Sequence, residues 1–132
     1  MQNIIDHIAE ILILTFLCIT FLQSGIDKIL DWKGNLGFIK EHFSKTFLKN
    51  MVAPMLITIL IFEVVAGVLT GVGIFEFISN GVSEYALAGA VFSSIVLLML
   101  LFGQRIAKDY AGALTITCYF IVAIFGVYLL KA

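Results

Sequence analysis

Four long apolar stretches run through this chain of 132 residues, and they leave it few ways to fold. They cover approximately 8–30, 52–75, 85–102 and 110–130. A helix needs about 20 apolar residues to cross a hydrocarbon core of about 30 Å. In that core every backbone N–H and C=O must be bonded internally, which leaves helices and closed barrels. These stretches are apolar nearly all round rather than alternating, as lipid-embedded helices are. The chain is 61% hydrophobic, against roughly 45–50% for a soluble domain. The sequence therefore predicts an all-α integral membrane four-helix bundle, one domain over residues 1–132, with the lipid bilayer as its first partner. A formal charge of −1 argues against a nucleic-acid partner.

Local signals support these spans. Pro54 falls in the first turn of the second span, where its missing N–H costs nothing. Asp109 precedes the fourth span as an N-cap. The first loop carries Lys28, Lys33, Lys40, Lys45 and Lys49, and the third carries Arg105 and Lys108. The N-terminal tail and the second loop, around Glu76, Asn80, Gly81 and Glu84, carry no Lys or Arg; the C-terminal tail carries Lys131. The positive-inside rule then puts loops one and three in the cytoplasm and both termini outside it, in a bacterial-type plasma (inner) membrane. Asp6, His7 and Glu10, without a basic residue, do not make the n-region of a cleaved signal, so the first span is expected to be retained.

The first loop is too long for a hairpin. Leu36, Ile39, Phe43, Phe47 and Met51 recur at helical spacing, with Lys40, Lys45 and Lys49 mainly elsewhere on the wheel. The pattern predicts a short amphipathic helix in the membrane interface, anchored by Trp32 just before it.

Glu63 is the one charge in the second span. An ionisable group at that depth costs about 2.5–3.5 kcal/mol on insertion scales and is a candidate functional residue by default. It shares a face with Gly67 and Gly71, a small-residue stripe along which helices pack, so it points toward another helix. Further small or polar stripes are Ala86, Ala90 and Ser94 in the third span, Gly112, Thr115, Tyr119, Ala123 and Gly126 in the fourth, and Thr20, Ser24 and Lys28 in the first. The candidate intramembrane residues are thus Glu63, Gln23, Ser24, Lys28, Tyr119 and Arg105, with Glu63 and Tyr119 nearer the midplane. Two readings stand for Glu63: a proton-accepting or hydrogen-bonding group for a quinone or other small ligand, or a carboxyl that fixes packing through Gln23, Ser24 or Tyr119. Lys28 and Arg105 either orient the protein and snorkel, or bind an anion or pair with Asp27 and Asp109. Cys18 and Cys118 lie in separate spans without a C-x-x-C and read as small buried hydrophobes. His7 and His42 stand far apart, supporting neither a zinc site nor a bis-histidine haem.

The first span ends Phe21-Leu22-Gln23-Ser24-Gly25-Ile26-Asp27-Lys28; the second opens Ala53-Pro54 and continues Phe62-Glu63-Val64-Val65-Ala66-Gly67, then Gly71-Val72-Gly73. In order and spacing this resembles the DoxX family of small membrane proteins along nearly the whole chain. The chain departs from the family in lacking an arginine near the start of the first span and another after the second, which leaves Glu63 without an obvious partner from the outer side. The resemblance implies a four-helix membrane protein often linked to redox systems, with relatives that include a subunit of a thiosulfate:quinone oxidoreductase. Fold is not function, however.

No nucleotide-binding, nucleophilic or metal-binding motif is present. The expectation is an accessory or small membrane subunit of a quinone-linked or stress-related redox complex. A partner redox protein would supply the redox centre, no cofactor would be covalently bound, and a quinone is the carrier the chain could bind. The alternative is a non-redox membrane scaffold or small-solute carrier, acting as a homo-oligomer. A carrier usually shows inverted repeats and broken helices, which this chain does not display.

Overall fold

The computed structural model describes residues 2–131, and these form helices in the order α1 Gln2–Asp6, α2 Ile8–Leu30, α3 Trp32–His42, α4 Val52–Asn80, α5 Glu84–Ile106 and α6 Tyr110–Lys131. Helices α2, α4, α5 and α6 are each long and apolar enough to cross a membrane. The protein is an all-α membrane helical bundle.

Helix ends follow local chemistry. Gly81 closes α4 at φ 77°, a left-handed conformation that costs glycine nothing. The α4 helix thus runs past the expected end of its span to include Glu76 and Asn80, because polar residues beyond the hydrocarbon do not break a helix. Ser83 caps α5 by accepting from the Ala86 N–H at 3.0 Å, and its own hydroxyl donates to Glu76 at 2.6 Å. Asp109 caps α6 as expected, accepting from the Gly112 N–H at 3.0 Å. At the α2–α3 corner the Asn35 amide donates to the Asp27 and Asp31 carbonyls.

The bundle closes in the order α2, α4, α5, α6, each packed on the next. The contacts are close because the residues are small. A methyl group on Gly73 would lie 2.7 Å from the Ala86 Cα, and one on Gly89 would lie 2.8 Å from the Thr70 backbone N. Gly67 faces Leu22, and Gly25 faces Val64 and Leu60, so α2 and α4 run antiparallel. Thr70, Ser93 and Ser94 are buried, and each donates its hydroxyl to a carbonyl of its own helix, leaving the contact surfaces apolar. Helices α2 and α6 meet near one end only, where Ile13 lies against Gly126 and Phe16 sits edge-on to Tyr119 with centroids 5.8 Å apart. At that end Ile11, Leu14, Phe77 and Ala86 form an apolar cluster with Leu130.

The first loop corrects one expectation. Its helix stops at His42, and 43–51 is a series of turns. Leu36, Ile39 and Phe43 do face inward, but Phe47 and Met51 are exposed. Leu48 takes the inward place, packing with Phe43 and Val52. The turns rotate the chain, so helical spacing no longer predicts its buried side after Phe43. On α4 Glu63 and Gly67 are buried as expected and Gly71 is half-buried; on α5 Ala86, Ala90 and Ser94 are all buried; on α6 Thr115 is exposed and Ala113 takes the inner face with Ala123 and Gly126. Cys118 is also exposed rather than buried, on the outside of α6, and the two cysteines are not bonded.

Candidate functional site

Glu63 is 1% exposed and sits 11 residues beyond Val52, roughly 16 Å along the helix axis. A carboxylate there needs a counter-charge. Lys28 supplies it: its Nζ lies 2.9 Å from Glu63 Oε1 and is also bonded to Ser24 Oγ at 2.6 Å. The Glu63 contact has ion-pair distance without hydrogen-bond alignment, so Oε1 is otherwise unpartnered. The pair is possible because of helix register. Gly25 is level with Leu60 and Val64, so Lys28, one turn further along the antiparallel helix, starts below Glu63 and its stem runs inward.

This corrects the sequence reading of Lys28. It neither snorkels outward nor pairs with Asp27 or Asp109, but turns into the bundle, with its side chain only 15% exposed. Glu63 likewise forms no direct bond with Gln23, Ser24 or Tyr119. The ammonium donates to Ser24 while its positive charge faces Glu63, a counter-charge that a neutral amide or phenol does not carry.

A cavity of about 360 Å³ lies beside this pair, where α2 and α6 diverge. Its polar lining is Thr20, Gln23, Ser24 and Asp27 from α2, Glu63 from α4 and Tyr119 from α6, and Leu97, Leu100 and Ile116 are among its apolar walls. Four of the residues singled out from the sequence, Glu63, Gln23, Ser24 and Tyr119, therefore share one cavity. Gln23 is exposed at its mouth. Neither the Gln23 amide nor the Tyr119 hydroxyl has a hydrogen-bond partner among the described residues. Arg105 is not part of the group: it is exposed, near the end of α5, with its guanidinium 5.0 Å from the Tyr110 ring centroid. Asp109 is engaged elsewhere, 3.5 Å from His42.

Thr20 and Asp27 join the lining beyond the residues the sequence points to: Thr20 lies on the α2 stripe with Ser24, whereas the sequence offers Asp27 only as a partner for a basic residue. Chemically the cavity can accept and donate hydrogen bonds to a small polar group while its walls hold an apolar ring or chain. Among the described residues no group of three or more His, Cys, Asp or Glu side chains could hold a metal ion.

No protein-family model, curated protein or solved structure matches this chain.

Proposed function

We propose that this membrane protein is a DoxX-like accessory subunit of a quinone-linked or stress-related redox complex, and that the cavity beside Glu63 receives a quinone head group. The observation that carries this reading is the cavity between α2 and α6, in which Glu63, Ser24, Gln23 and Tyr119 meet apolar walls. At about 360 Å³ it falls within the roughly 300–1,000 Å³ typical of small-ligand sites. A lipid-dissolved molecule would enter sideways between the diverging helices, its ring against Leu97, Leu100 and Ile116. Its carbonyl oxygens would meet the hydroxyls of Ser24 and Tyr119. Because Ser24 already accepts from Lys28, its own O–H is available to donate. Electrons would come from a partner redox protein docked at the basic loops, which under the positive-inside rule face the cytoplasm.

The carrier alternative fares less well. The ends of α2 and α6 opposite the cavity are packed together by Ile13 on Gly126 and by the apolar cluster around Leu14 and Phe77, which argues against a path through one copy.

The test is binding of decylubiquinone to the purified protein in detergent, alongside a gentle native purification analysed by mass spectrometry and visible absorption. Saturable binding that Glu63→Gln or Tyr119→Phe weakens at least several-fold, and that Arg105→Gln leaves alone, supports the reading. Absence of saturable binding, together with a colourless preparation carrying only lipid, ends it in favour of a scaffold.

A further inference from the structure

A second cavity, of about 300 Å³, lies under α3, between α3, α4 and α5, and is separate from the one assigned above. Its walls are mainly apolar, with Ile39 and Phe43 from the first loop, Leu56 and Ile59 from α4, and Met99 and Phe102 from α5. A cavity of this size with mainly apolar walls favours an apolar occupant.

The polar groups that reach it come as pairs. Lys28 lines it, but its charge is matched by Glu63 at 2.9 Å. His42 and Asp109 line it as well, and lie 3.5 Å apart. Asn35 and Gln104 complete the polar lining, and both are uncharged. An anion entering here would meet no unmatched positive charge and would lose its hydration. An uncharged hydroxylated head loses far less, and its O–H groups find acceptors in the amide oxygens, of which Gln104 Oε1 is buried without a partner among the described residues, while both Asn35 N–H groups are taken by the Asp27 and Asp31 carbonyls.

We infer that this cavity is a binding site for a neutral single-chain amphiphile, with the chain between α4 and α5 and an uncharged hydroxylated head near His42, Asn35 and Gln104. The site is independent of the quinone reading. It shares with the first cavity only Leu100 and the ion pair, of which Glu63 faces one cavity and Lys28 the other.

The probes are 1-monooleoylglycerol and oleate, which share a chain and differ in head-group charge. Binding to the full chain in detergent is measured by native mass spectrometry at about pH 9, where the oleate carboxyl is ionised even in a micelle. The expected result is saturable binding of 1-monooleoylglycerol, at least tenfold tighter than oleate. Filling the void with Ile39→Phe and Ile59→Phe should weaken it by tenfold or more in protein that stays helical and monodisperse. Asp109→Asn keeps a good helix cap but removes the negative charge from the cavity wall, and should narrow the preference over oleate several-fold. Glu63→Gln leaves Lys28 unmatched and should act in the same direction. Equal affinity for oleate, non-saturable uptake, or binding indifferent to the filling substitutions would each overturn the proposal. Should the filled variants fail to fold, the two charge variants decide it alone: an unchanged head-group preference in both overturns it.

Discussion

Lys28 Nζ lies 2.9 Å from Glu63 Oε1, joining the end of α2 to the interior of α4 across 35 positions of sequence. The same ammonium holds Ser24 at 2.6 Å, so one cation organises both the carboxylate and a hydroxyl of the candidate site.

Removing one partner of a buried ion pair leaves an uncompensated charge, which costs about 3–5 kcal/mol. Lys28→Met should therefore destabilise the protein by about 3 kcal/mol, read from its unfolding midpoint in detergent. Replacing both partners, Lys28→Met with Glu63→Leu, should recover most of that loss. A double variant as unstable as the sum of its parts would show that the two residues are not coupled.

The glycines of the helix contacts should rank by what an added methyl meets. At Gly89 it would lie 2.8 Å from the Thr70 N and 3.1 Å from the Leu69 carbonyl carbon, both backbone atoms that cannot move aside. At Gly71 the nearest atom is Cys18 Sγ at 3.6 Å, an ordinary contact. Gly89→Ala should cost about 1–3 kcal/mol by overpacking. Gly71→Ala should be tolerated or slightly stabilising, since alanine is the better helix former. Thermal unfolding of the two variants side by side checks the order.

Lys108 holds a φ of 62° in the turn between α5 and α6, a region that L side chains with a Cβ occupy at a cost. Lys108→Gly should raise stability by about 0.5–1 kcal/mol, after allowance for the greater freedom of glycine in the unfolded chain. A decrease in unfolding temperature would mean that the lysine side chain contributes more than its backbone costs.

Ser83 both caps α5 and donates to Glu76. Ser83→Ala should cost about 1 kcal/mol, and Ser83→Asp should keep the cap while setting a second negative charge against Glu76. Amide hydrogen exchange in the first turn of α5 should quicken in the alanine variant and in no other helix.

The spans were legible from the sequence because their signal is local. Apolar length sets the four crossings, Asp109 caps its own helix, and the glycines and alanines of α4 and α5 mark surfaces that must touch. Glu63 declared itself by standing alone in hydrocarbon. Its partner did not, because Lys28 reads equally well as a positive-inside lysine, and only the antiparallel register of α2 on α4 brings its stem level with the carboxylate. The divergence of α2 from α6 places Ser24 and Tyr119 in one cavity, sets Gln23 at the mouth and leaves Arg105 outside, although the depth of each along its helix could be counted beforehand. After Phe43 the turns of the first loop exchange Phe47 for Leu48 on the buried side, which no helical period foretells. What the sequence determined by itself is what each segment must do with its own backbone and apolar surface. The tertiary structure decided which charges meet, since burial leaves a charge no water to turn to and only the relative placement of helices decides which group takes that place.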